Sequence, residues 1–112
     1  MYKVQTKKVF VVNASGHDFS PAKRFGELYF LTQGSGNRFN VDRLSAQIEK
    51  SLKISSPQDF LLLSGTMVYN SIAFYLWMKK HKQCNLLIWS PLKGIYILRT
   101  YTERGVSHEC GA

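Results

Sequence analysis

Asp59-Phe60-Leu61-Leu62-Leu63-Ser64-Gly65-Thr66-Met67 is the stretch that decides the fold. Its apolar run shows no polar alternation, so it reads as a strand buried on both faces. Ser64-Gly65-Thr66 makes a tight passage, and from Met67 to about Lys82 the chain reads as a helix. Working outward, the pattern recurs. Lys8-Val9-Phe10-Val11-Val12-Asn13 has the same unbroken apolar centre, followed by a loop over residues 14–19. Ser20-Pro21-Ala22-Lys23-Arg24-Phe25-Gly26 has the punctuation of one helical turn, with Ser as N-cap, Pro at the first position and Gly past the end. A second strand covers residues 27–32, and Gln33-Gly34-Ser35-Gly36-Asn37-Arg38 is a glycine-rich loop. Asn40 then caps a helix whose apolar residues Val41, Leu44, Ile48 and Leu52 recur at spacings of three and four. After the second helix, two β-rich runs at 85–89 and 95–101 flank Ser90-Pro91-Leu92-Lys93-Gly94, which reads as a hairpin.

Strands alternating with helices imply parallel pairing with right-handed crossovers. The pattern therefore predicts a small Rossmann-like α/β domain, with a mainly parallel sheet of about five strands and a C-terminal antiparallel hairpin. With 112 residues the chain is expected to form one domain over 1–103, and residues 104–112, which lack periodicity, to form a flexible tail.

Composition narrows the function classes. Fifteen Lys+Arg against seven Asp+Glu give a formal charge of +8, which favours anionic partners: nucleic acid, nucleotides or an acidic surface. The bases are scattered along the chain, with clusters only at Lys7-Lys8, Lys23-Arg24 and Lys79-Lys80-His81-Lys82. No apolar run reaches the roughly 18 residues of a membrane span, so no membrane contact is expected. Two cysteines, Cys84 and Cys110, make no disulfide framework, so a reducing, cytoplasmic setting is expected. His108 with Cys110, and His81 with Cys84, are pairs without the second half of a zinc site, so no metal and no other cofactor is expected.

Ligands of open parallel sheets bind outside the carboxyl ends of the strands. Three strand exits here carry small or polar residues: Asn13, Ser15, Gly16 and His17 after the first, Gly34, Gly36 and Arg38 after the second, Ser64, Gly65 and Thr66 after the third. With Asn70, one turn into the second helix, these form the candidate ligand site. Glycine-freed N–H groups and a helix N-terminus suit a phosphate, which Arg38 would grip through two parallel hydrogen bonds. His17 is the candidate catalytic acid or base. The leading expectation is a nucleotide- or phosphate-binding domain. Its enzymatic version would be a metal-independent phosphodiesterase acting on RNA or a cyclic nucleotide through an internal 2′-hydroxyl.

The other class is a non-enzymatic accessory protein, of the kind viruses and mobile elements encode, that works as a dimer on a macromolecule. Of residues 67–78 only Asn70 and Ser71 are polar, more apolar surface than one sheet can cover. The homodimer is expected to form through the 67–78 helix or the 85–101 hairpin, with Trp89, Tyr96 and Tyr101 on its working surface.

Overall fold

The computed structural model describes residues 6–34 and 39–107. It is an α/β protein built on one mixed sheet. The strands are β1 (Lys8–Ala14), β2 (Glu27–Gln33), β3 (Phe60–Leu62), β4 (Gln83–Ser90), β5 (Ile95–Thr102) and β6 (Gly105–Ser107), in the order β2-β1-β3-β4-β5-β6. The first four run parallel, with Val11 opposite both Phe30 and Leu62, and Leu62 opposite Leu87. β4 and β5 form an antiparallel hairpin that brings Trp89 opposite Tyr96.

β1 and β3 lack alternation because both their faces are covered. Val9, Val11, Phe60 and Leu62 point to one side and Phe10, Val12 and Leu61 to the other. On the second side lie both helices, α1 (Val41–Ser51) and α2 (Met67–His81). Helix α1 starts where the Asn40 side chain accepts the Arg43 N–H, and it buries Leu44 and Ile48, with Leu52 just past its end. Helix α2 buries Tyr69, Ala73 and Trp77, spaced four apart, and the Trp77 indole meets Phe10 edge-on at 5.6 Å. Among the described residues the first side is covered by a 3-10 helix, Ser20–Arg24, which packs Ala22 and its neighbours Phe19 and Phe25 on the sheet.

Three expectations change in detail. Among the described residues the sheet has six strands, because Gly105–Ser107, within the segment expected as a tail, pairs with β5. Residues 108–112 lie outside the described residues. A single strand stands beyond β1, so the order is not the 3-2-1-4 of the dinucleotide-binding Rossmann sheet; it is the doubly wound order 2-1-3-4 with an antiparallel end. Helix α2 is also less bare than its composition implies: Ile72, Phe74, Leu76 and Met78 pack partly against the core, and Tyr101 of β5 meets Phe74 edge-on. Met67 and Tyr75 remain its exposed apolar side chains.

Candidate functional site

In this strand order the chain leaves β1 toward one face and β3 toward the other, and the crevice between the two exits is where doubly wound sheets hold ligands. Here the crevice is built by hydrogen bonds between residues far apart in sequence. The Ser64 hydroxyl donates to the Asn13 carbonyl at 2.7 Å and accepts the Asn13 N–H at 2.9 Å, serving both backbone groups just past the ladder. The Asn13 amide donates to Thr32 Oγ1 and to the Gly34 carbonyl. Asn70 accepts the Ser64 N–H and donates to the Gly65 carbonyl, folding the β3–α2 passage onto the helix start. The exits of β1, β2 and β3 are thereby fastened into one rim.

Beside that rim opens a pocket of about 380 Å³. The β1 loop contributes His17, Asp18 and Phe19, the end of β3 contributes Leu62 to Gly65, and the hairpin contributes Trp89 and Tyr96. The Trp89 and Tyr96 rings lie 4.9 Å apart, and Phe19 meets His17 and Phe30 edge-on. Asp18 accepts the Ser20 N–H, which opens the 3-10 helix. That bond, with the Ser20 hydroxyl, holds the carboxyl below its ordinary range, so Asp18 is an anion at neutral pH. Burial first, and the Asp18 charge second, push the Tyr96 phenol up, so it stays protonated.

The residues expected at the site fall into four groups. His17, Ser64 and Gly65 line the pocket. Asn13, Gly34 and Asn70 hold the rim from behind, the Asn13 side chain and the Gly34 and Asn70 groups being used by the bonds above. Ser15, Gly16 and Thr66 are exposed beside the pocket; Gly16 turns the loop at φ +82°, and the Thr66 carbonyl, not its hydroxyl, takes the first helical N–H of α2, from Asn70. Gly36 and Arg38 lie outside the described residues.

Sequence reading missed Phe19 as a wall, and it set Trp89 and Tyr96 on a dimer's working surface and not in the pocket that they line. β4 and β5 are joined by the four residues 91–94, which sets Ser90 opposite Ile95 and Trp89 opposite Tyr96, a register that the five-residue connection expected over 90–94 does not give. The described walls are aromatic and carry a carboxylate, which suits a flat ring with N–H donors better than a bare phosphate. Among the described residues no group of three or more His, Cys, Asp or Glu is placed to hold a metal. Nor is any described helix long and apolar enough to cross a membrane.

Residues 5–102 match the family described as Phage Pam3 gp32-like protein. No curated protein and no solved structure matches the chain.

Proposed function

The chain belongs to the Phage Pam3 gp32-like protein family, and we propose that it is a phage-type binding domain that takes a nucleoside or nucleotide by its base, in the pocket at the β1–β3 crevice. The observation that carries this reading is the pair of rings, Trp89 and Tyr96, closing a crevice whose opposite wall is His17 and Asp18. A base slid against Trp89 gains stacking worth roughly 1–3 kcal/mol. Its exocyclic or ring N–H groups would find the Asp18 carboxylate, and its sugar and phosphate would extend over the rim toward the start of α2, whose dipole favours negative charge. The reading is confined to binding. His17 is exposed, with the Phe19 ring as its neighbour, and the Asp18 carboxylate is already engaged by Ser20.

The two tryptophans make the test direct. Trp77 is fully buried and Trp89 is 44% exposed at the pocket, so a change in emission on adding ligand reports Trp89. A panel of the common nucleosides and mononucleotides should contain a member that shifts the emission saturably. At a hundred times its Kd that member should add about 2.7 kcal/mol of stability. Trp89→Ala should weaken its binding at least tenfold, while Arg43→Ala, on α1, leaves it unchanged. If no member saturates, or if Trp89→Ala binds as well as the parent, the reading fails.

A further inference from the structure

The cations that look scattered in sequence are gathered by the fold at the opposite end of the sheet. Parallel strands begin, and the helices between them end, at the amino edge. Lys7 and Lys8 stand where β1 begins, and the Lys7 ammonium lies over the Phe60 ring at the start of β3. Arg24 closes the 3-10 helix against Phe25, which itself packs on Phe60. Lys50 and Lys53 stand where α1 runs out, and Lys79, Lys80 and Lys82 where α2 does. The Lys80 ammonium donates to the Leu52 and Lys53 carbonyls, which joins the two helix ends. Arg104, in the turn after β5, arrives at the same edge, where the neighbouring Glu103 N–H donates to the Lys82 carbonyl. Cations here outnumber the acids Glu27, Glu49, Asp59 and Glu103 by about two to one, and Asp59 is buried, its carboxylate spent on the Lys8 and Ser56 N–H groups.

Helix dipoles explain lysines in a last helical turn. They do not explain Lys7 and Lys8 at the start of a strand or Arg104 in a turn. We infer that this amino edge is a docking surface for the phosphate backbone of double-helical nucleic acid. Six strands about 4.8 Å apart make a rim roughly 24 Å long, and a duplex presents one negative charge per roughly 1.7 Å of its axis. A protein partner would call for an apolar centre with aromatic anchors. Among the described residues Ile54 is the one large apolar side chain left exposed at this end; exposed Trp89, Phe30 and Phe39 lie elsewhere. The same lack of a stacking ring argues for a duplex over a single strand. Among the described residues the edge is mostly lysine point charges, with Arg24 and Arg104 as its guanidiniums and no exposed aromatic reader, which implies contact with phosphates and no sequence preference.

The experiment is fluorescence anisotropy of labelled 20-base-pair duplexes of arbitrary sequence, one DNA and one RNA, titrated with the full chain from 50 to 200 mM salt. Saturable binding to either duplex is expected, and the arm that binds tighter names the natural form. With about five phosphates neutralised, log affinity should fall with log salt at a slope near −4 to −5. Lys50→Gln/Lys53→Gln/Lys79→Gln should weaken binding at least tenfold and flatten that slope. These side chains are exposed, and the amides keep the helices intact. Arg43→Gln/Lys93→Gln, away from this edge, should change it less than twofold. No duplex binding at 50 mM salt, equal loss in the two variants, or complete competition by an equal charge concentration of poly-glutamate would each overturn the proposal. This surface is separate from the pocket, so Trp89→Ala should leave duplex binding intact, and either reading can fail alone.

Discussion

At the residue scale, Gly65 shows why the site is built as it is. Its backbone takes φ +81°, and an added Cβ would come within 2.8 Å of the Asn13 Cβ. Only glycine lets the β3 exit lie against the β1 exit. Gly65→Ala should therefore cost about 1–3 kcal/mol, read as a lower urea midpoint, and an unchanged midpoint would show that the crevice tolerates a side chain there. A glycine after an apolar run was legible in the sequence as a turn. That Ser64 and Asn13, 51 positions apart, complete each other's hydrogen bonds was not, because no local pattern carries register between strands. This is also why Asn13 and Asn70 read as ligand groups when they are fasteners. His81 is a residue whose titration has a sign. It hydrogen-bonds Ser55 at 2.8 Å and lies beside Trp77; burial first, and the Lys80 charge second, hold its pKa below the ordinary value. The unfolded chain then binds the proton more readily than the folded one, so this contribution to stability is complete above the usual histidine range, near pH 6.5. It is lost as pH falls from there through the folded value. Urea midpoints from pH 7 to 5 should drop less in His81→Gln than in the parent, and parallel curves would remove His81 from the account.

At the scale of elements, the strands and helices were largely legible, and their partners were not. The unbroken apolar runs of β1 and β3 could only be doubly buried strands, and the spacing of four between Leu44, Ile48 and Leu52 gave the inner face of α1, whereas Val41, three before Leu44, is exposed. Strand β6 escaped notice because three residues carry no period. Helix α2 is instructive in the other direction. Its extent was clear, yet its composition overstated how much of it faces water, since composition does not show that α1 and Tyr101 flank it. On the hairpin Ile88, Trp89, Ile95 and Leu98 are each more than a third exposed, on both faces, as are Phe30 on β2 and Met67 and Tyr75 on α2. We propose that the homodimer, expected through α2 or the hairpin, uses the hairpin of β4 and β5, which carries four of these side chains. Sedimentation equilibrium at micromolar concentrations should give twice the 12.8 kDa chain mass, with Leu98→Glu reverting to the monomer. A parent protein that remains at 12.8 kDa throughout would contradict the dimer.

At the scale of the whole molecule, the sheet has two chemically different ends: an aromatic crevice where the strands leave and a cationic rim where they begin. The first end was half legible. Alternating strands and helices, and polar residues at three exits, pointed to the carboxyl edge, where His17, Ser64 and Gly65 line the pocket. The aromatic walls come from a hairpin whose packing no spacing rule supplied, and Arg38, expected as the anion clamp, lies outside the described residues. The second end was illegible in one dimension, since Lys7, Lys53, Lys82 and Arg104 become neighbours only once the strands are ordered. The reading of the first end rests on the claim that the β1–β3 crevice is the place where a ligand's base sits. Two-dimensional ¹H–¹⁵N NMR of the full chain tests it most directly, on titration with whichever mononucleotide gives the largest emission change. The account predicts shifts confined to the backbone of His17, Asp18, Phe19, Ser64 and Gly65 and to the Trp89 indole N–H, with the Trp77 indole and the amino-edge residues Lys53 and Lys79 unmoved. Shifts centred on the amino edge, or none at saturating nucleotide, would contradict it.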